Sequence, residues 1–213
     1  MKKYLEIIKH YESCLEKHGD THLGVDWPTQ ADVNKRYKVM LELIKYEQDI
    51  ENTTLLDFGC GTAHLLEYII NNKYHYIKYS GLDISSKFIS ICKSKYKGND
   101  FYCGDLLEKD FNLNMFDFVV LNGVFTEKID MSFDEMWNYF TKLITKVYDL
   151  SNKGIAFNVM SKQVDWERDD LFHVPLDLIS EFLCKNLSRN FVIRNDYGLY
   201  EYTVYIYKKN VDE

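Results

Sequence analysis

Two glycines and three aspartates carry most of the chemistry that can be read from this sequence. The run Leu55-Leu56-Asp57-Phe58-Gly59-Cys60-Gly61-Thr62-Ala63-His64 passes from an apolar strand-like segment into a tight turn. Gly59 and Gly61 permit that turn and let a ligand approach backbone where a Cβ would collide. The turn opens a helix whose unpaired N–H groups point at whatever is bound. A dinucleotide site asks for G-x-G-x-x-G with pyrophosphate on the helix N-terminus. Here His64 stands at the third glycine's place, and Asp57 suits a cation better than a diphosphate. Asp83 ends the next apolar run, roughly where a ribose-binding carboxylate is expected, and a carboxylate accepts both hydroxyls of a ribose diol. Asp105, in Tyr102-Cys103-Gly104-Asp105-Leu106, is placed to accept from an adenine amino group. Singly, Asp57 and Asp83 read as structural caps. Their joint occurrence at successive strand ends points to a nucleoside-like ligand. Asp117, at the start of its run, is as readily structural.

The elements that must position these residues follow from periodicity. Tyr4, Ile8, Tyr11 and Leu15 share one helical face, and His18-Gly19-Asp20 ends that helix. Thr29 caps a second helix with Asp32 three residues on, and Val33, Tyr37, Met40, Leu41 and Ile44 form its stripe. From Thr54 strands and helices alternate. Apolar runs at Thr54–Phe58, Tyr79–Asp83, Asp100–Cys103, Phe116–Leu121 and Gly154–Val159 flank helices at Leu65–Ile70, Phe88–Cys92 and, behind Ser132, Phe133–Val147. A last helix spans Leu176–Cys184. Phe191–Asp196 and Tyr202–Tyr207 read as two strands joined by a short reversal. This pattern predicts a doubly wound α/β fold with helices on both faces of a mostly parallel sheet and an antiparallel strand finishing it. With two prolines and no Ser/Gly-rich linker, residues 1–213 are expected to form one domain: a helical lid at 1–50 and a core at 51–213.

The run Leu55–Ala63, with Gly81-Leu82-Asp83, Gly104-Asp105-Leu106 and Phe116-Asp117-Phe118-Val119-Val120, resembles the ordered motifs of class I (Rossmann-like) S-adenosylmethionine-dependent methyltransferases. The resemblance covers roughly Thr54 to Lys208. It implies a seven-stranded sheet whose last strand is antiparallel. It implies S-adenosyl-L-methionine as cofactor and S-adenosyl-L-homocysteine as product. It sets Gly59 and Gly61, after Asp57, against the methionyl part, Asp83 on the ribose, and Asp105 near the adenine, with Ile84 and Leu106 beside them. Ala63 stands where the family often has glycine. The exit of the fourth strand, Leu121-Asn122-Gly123-Val124-Phe125, lies beside the sulfonium in the family, which nominates Asn122 and Phe125 for the methyl-transfer neighbourhood. The N-terminal segment is expected to cover the cleft, with Tyr11 or Trp27 over the sulfonium and Arg36 on the methionyl carboxylate. For Trp27 plain packing is the stronger alternative.

For the acceptor, Asn158 leaves the fifth strand, and Ser161 to Pro175 reads as a long binding loop. His173 is a general-base candidate because imidazole titrates near neutral pH, with a surface histidine as the equal alternative; Asp165 is a second. Tyr197 and Glu201 suit a hydroxylated acceptor, and the C-terminal hairpin weakly resembles small methyltransferases of surface-polysaccharide modification. The expected acceptor is therefore a small polar or sugar-related molecule, methylated on oxygen or nitrogen. Protein or RNA methylation, a non-catalytic S-adenosylmethionine-binding module and an NAD(H) oxidoreductase are the competing readings.

Bulk composition narrows these. A charge of −7 over 213 residues, with no basic block, argues against nucleic acid as partner. Of the five cysteines none forms a C-x-x-C pair, and no Cys/His cluster has zinc spacing, so no metal is expected. Scattered thiols, no signal-like start and no bilayer-length apolar run lead to the expectation of a cytoplasmic protein without membrane contact, a monomer or homodimer.

Overall fold

The computed structural model of the chain describes residues 2–46, 51–72, 74–108 and 111–208. The strands are β1 (Thr53–Phe58), β2 (Ile77–Asp83), β3 (Asp100–Cys103), β4 (Phe116–Phe125), β5 (Ser151–Ser161), β6 (His173–Val174), β7 (Phe191–Arg194) and β8 (Glu201–Tyr207). They form one sheet in the order β3-β2-β1-β4-β5-β8-β7, with β6 paired to β5 off that path. The pairs from β3 through β5 are parallel, and β8 is antiparallel to both its neighbours.

Strand β1 shows why both faces are covered. Leu55 and Leu56, both fully buried, point into opposite cores, as the period-2 geometry of a strand requires. On one side lie α5 (Phe133–Asp149) and α6 (Leu176–Asn186), through Met136, Phe140, Leu143, Ile179 and Leu183. Ile7 of α1 (Leu5–His18) joins that cluster. On the other side lie α2 (Gln30–Leu41), α3 (His64–Asn71) and α4 (Ser86–Lys95), through Val33, Met40, Leu65, Ile69 and Ile89. The expected caps are present: Asp32 N–H donates to Thr29, and Ser132 with Glu135 closes a full capping box.

The chain runs outward from β1 to β2 and β3, then returns to lay β4 on the other side of β1. Strand order therefore reverses between β1 and β4, the place where open α/β sheets bind ligands at their carboxyl ends. Beside that edge β4 is irregular. Its register with β5 shifts between Leu121 and Phe125, and Gly123 sits at φ 80° within the shift, a bulge that re-aims the neighbouring side chains.

Two expectations about elements need correction. The stretch Ser161 to Pro175 is not a free loop: β6 pairs with β5, Leu171 bridges to Glu127, and Phe172 N–H donates to the Thr126 carbonyl. The expected strand Phe191–Asp196 stops at Arg194, whose guanidinium folds onto Asp196. No helix among the described residues is long and apolar enough to cross a membrane.

Candidate active site

A cavity of about 150 Å³ opens at the carboxyl ends of β1, β2 and β4. The Asp57–Gly61 segment forms its floor, and Asp83, Ile84, Asp105, Leu106, Asn122 and Gly123 form its walls. Tyr4, Ile7, Ile8 and Tyr11 of the N-terminal helical segment, with Val25 and Trp27, roof it. All of the expected cofactor residues except Arg36 thus line one space.

The glycine turn is a cradle in the strict steric sense. Gly59 and Gly61 have φ of 76° and 53°, a region L side chains rarely adopt, and a Cβ on Gly59 would stand 2.6 Å from Val124 Cγ2. Gly59 and Cys60 N–H both donate to the Leu82 carbonyl, at 2.7 and 3.0 Å, locking the turn to the end of β2. Ala63 takes a left-handed φ of 63° at the start of α3, the conformation in which glycine is the easier residue.

The three acids have different environments. Asp57 is buried and accepts from the Tyr79 hydroxyl at 2.8 Å; burial, joined by the charge of Asp83, pushes its carboxyl up to about 7 against the pull of Tyr79. Asp83 accepts from Gly61 N–H at 3.0 Å and Ser85 N–H at 2.8 Å. Burial still raises it to about 6, with those N–H groups opposing. Asp83 is therefore both the turn-forming residue and a cavity wall. Asp105 is held below the usual carboxylate range: burial would raise it, but Tyr4, the Leu107 N–H and Lys2 outweigh that. Asp117 is structural, since its carboxylate accepts from both the backbone N–H and the hydroxyl of Thr54.

The segment leading into α1 also closes the cavity at its Asp105 end. Tyr4 donates to Asp105 at 2.6 Å and stacks on Tyr139 with ring centroids 4.6 Å apart. Lys2 bonds Asp105 at 3.1 Å and also pairs with Glu108. At the Gly123 end a cycle of contacts shuts the roof. A Cβ on Gly123 would lie 2.7 Å from the Trp27 ring; Arg36 covers Trp27 at 4.1 Å and donates to Glu201 at 2.8 Å. Asn158 donates to Glu201 at 3.0 Å and accepts from Gly123 N–H at 2.8 Å. Tyr197 joins through Glu201 and Thr203. So Asn158, Tyr197 and Glu201 do converge, together with Arg36, behind the cavity rather than on its wall.

The two general-base nominees are not brought to the cavity. His173 is buried in β6; its Nδ1 bonds the Ser161 carbonyl at 2.7 Å and its Nε2 accepts the Arg168 N–H at 3.3 Å. Both ring nitrogens are spent on backbone. Asp165 is exposed on the connecting segment. Phe125 is also corrected: it is fully buried among Phe140, Phe157 and Tyr139. Lining residues that the sequence reading passed over include Tyr4, Tyr37, His64, Val124 and Tyr139. The helical phase of Tyr4 and Tyr11 was the available signal for the first of them.

Comparison with known proteins now bears on this geometry. Residues 56–142, which contain the glycine turn, Asp83, Asp105 and Asn122, match a family model described as a methyltransferase domain. The chain is an S-adenosylmethionine-dependent methyltransferase. A protein of Mycobacterium tuberculosis provisionally named methyltransferase Rv1506c is 24% identical over 157 residues, 71% of this chain and 91% of that protein. The magnesium protoporphyrin IX methyltransferase ChlM of Synechocystis, solved with bound S-adenosylmethionine, superposes with a TM-score of 0.66 at 14% identity and covers 98% of each chain. CalS10, an amino pentose methyltransferase of Micromonospora echinaspora, gives 0.58 at 12% identity over 94% of this chain and 97% of that one. These likenesses show a shared Rossmann-like methyltransferase fold.

The cavity fits a sulfonium nucleoside. Its glycine floor admits backbone contact, its carboxylates favour a cation, and Asn122 Oδ1 is buried on its wall with no hydrogen-bond partner among the described residues.

Because the folded Asp57 carboxyl titrates above its unfolded value, the stability it contributes is complete below about pH 4 and is lost as pH rises through about 7. The Asp57→Asn protein is expected to lose that part of the slope, melting several degrees higher relative to wild type at pH 8 than at pH 5. Parallel melting curves at the two pH values would contradict the assignment.

Proposed function

We propose that the enzyme methylates an oxygen or nitrogen of a small polar, sugar-related acceptor, with the cofactor in the β1–β4 cavity. The observation that carries this reading is the convergence of the glycine turn, Asp57, Asp83, Asp105 and the unpaired Asn122 on one roofed space at the switch point of the sheet. Bound there, S-adenosylmethionine supplies an electrophilic methyl group on a sulfonium.

The chain's own residues then act by position. Gly59 and Gly61 take the methionyl portion. Asp83 keeps a lone pair on each oxygen beyond its two backbone bonds and receives the ribose hydroxyls. Asp105, between Ile84 and Leu106, receives the adenine amino group. Asn122 Oδ1 stands at the sulfonium end, where it accepts the N–H or O–H of an acceptor and turns its lone pair toward the methyl. Tyr11 and Trp27 exclude water above it. Alignment of this kind accounts for about 7–11 kcal/mol of barrier in well-oriented systems. With His173 committed to backbone, Asp165 in solvent and His64, although it lines the cavity, held by Asp20 and Thr62, no imidazole base is assigned, which favours acceptors whose attacking atom is already unprotonated.

The sugar-related class is supported by Arg36. Its Nη1 is buried without a partner among the described residues, while Nε holds Glu201 and the guanidinium lies on the cavity-lining Trp27. That donor lies behind Trp27 with Tyr197 and Asn158, so an oxygen-rich acceptor would reach it by displacing the Trp27 ring. An amino pentose is the acceptor named for one protein of similar fold, an analogy at the level of fold.

Incubation with methyl-labelled S-adenosylmethionine and a panel of sugar nucleotides and amino sugars, read by mass spectrometry, is expected to show labelled product. Arg36→Lys is expected to raise the acceptor KM about tenfold with little change in cofactor Kd. Label transfer only to protein or RNA would overturn the acceptor class. The closed Asp105 end generates a further expectation. The cavity lies below the roughly 300–1,000 Å³ of ligand pockets, so Tyr4 must yield Asp105 to the adenine. Tyr4→Phe, which keeps the stack on Tyr139 and removes the hydroxyl, is expected to tighten cofactor binding by about 1 kcal/mol, or roughly fivefold. Weaker binding would show instead that the Tyr4 hydroxyl belongs to the bound state.

A further inference from the structure

Outside the cavity, the fold assembles a group of side chains for which methyl transfer has no use. His10 and Cys14 lie one turn apart on α1 and present the same face. Asp26 follows the short 3-10 turn Leu23–Val25. His10 Nε2 is 2.7 Å from Asp26 Oδ2, and Cys14 Sγ is 3.8 Å from the same nitrogen. One ligand atom from each residue lies within 4.8 Å of the others.

We propose that His10, Cys14 and Asp26 form a binding site for a zinc-class divalent cation that fastens the two segments roofing the cofactor cavity. Tetrahedral zinc with bond lengths of about 2.0 Å to nitrogen and 2.3 Å to thiolate sets its nitrogen and sulfur ligands about 3.5 Å apart. The His10–Cys14 separation of 3.8 Å needs to close only slightly. The His10–Asp26 pair must open from 2.7 Å to about 3.4 Å, replacing a shared proton with the metal. A mixed imidazole, thiolate and carboxylate set selects zinc over magnesium or calcium, which prefer all-oxygen shells.

The supporting frame is rigid where it needs to be. Gly24 sits so close to the Gly19 carbonyl that a Cβ there would be 1.9 Å from its oxygen. Gly19 N–H is itself bonded to Leu15 at the end of α1, at 2.8 Å. Asp26 is held at φ 58° with its N–H on the Leu23 carbonyl. The sulfur lies in the field of two carboxylates, Asp26 and Glu127, opposed by Lys17, and a dication would add to the cationic side. His10 and Asp26 remain 35% and 44% exposed at their side chains, leaving a coordination position for water. His10 and Cys14 are spaced i, i+4 on one helix, but Asp26 comes from the next element, so no zinc-ligand spacing in the sequence joins the three. The ligands adjoin the roof directly: Tyr11 follows His10, Trp27 follows Asp26, and both line the cavity.

The test is titration of the reduced, metal-free full-length protein with CoCl2, read by visible and near-ultraviolet absorption. One equivalent is expected to give tetrahedral d–d bands and a thiolate charge-transfer band, both displaced by ZnCl2. Cys14→Ser is expected to abolish the charge-transfer band, and His10→Ala to weaken binding at least about tenfold. The Cys103→Ser/Cys184→Ser protein, altered only at exposed thiols, is expected to titrate like wild type. Circular dichroism checks that each variant folds. The proposal is overturned if no band appears, if Cys14→Ser titrates like wild type, or if the bands follow Cys103 and Cys184. None of these readings depends on the cofactor or acceptor assignment.

Discussion

The structure depends on keeping two carboxylates out of water at the end of a parallel sheet. Asp57, next to last in β1, and Asp83, at the end of β2, are stabilised by a tyrosine hydroxyl and backbone N–H groups rather than by a cationic side chain. Removing ionised carboxylates from water is costly, and here the cost shows as pKa values raised to about 7 and about 6. A cation bound in the cavity that both acids line would offset that cost. A neutral thioether would do so far less, which gives the site a physical reason to bind substrate cofactor and to release its product.

The sheet order and the roof both serve that arrangement. Placing β4 next to β1 only after β2 and β3 have formed brings Gly59, Asp83 and Asn122 to a common edge. The bulge at Gly123 then connects the cavity to the Asn158–Glu201 cluster. Its N–H binds Asn158, its Cα supports Trp27, and Arg36 with Glu201 closes the cycle. A contact at Glu201 is thereby tied mechanically to the cavity wall at Gly123.

Local features of this design were legible in the sequence because they are local in cause. The glycine turn, the acids near the ends of β1 and β2, the Thr29 and Ser132 caps, the alternation of strands and helices and the antiparallel final strand all follow from short-range pattern. What escaped is long-range. The Arg36–Glu201 bond spans 165 positions, and no spacing rule predicts it. His173 looks like a base in a polar loop until β6 pairs with β5 and commits both ring nitrogens to backbone. Phe125 follows Asn122 at the strand exit, yet the bulge turns it into the core. Tyr4 pairs with Asp105 only because α1 folds across the carboxyl edge.

The most direct test of the central claim is calorimetric titration of S-adenosylmethionine near pH 6.5 in two buffers of different ionisation enthalpy. If burial of Asp57 and Asp83 is offset by the sulfonium, binding must release protons, and the measured heat must differ between the buffers accordingly. S-adenosylhomocysteine, lacking the positive charge, is expected to release markedly fewer. Equal proton release for the two ligands, or binding heat that is absent or independent of buffer, would contradict the account.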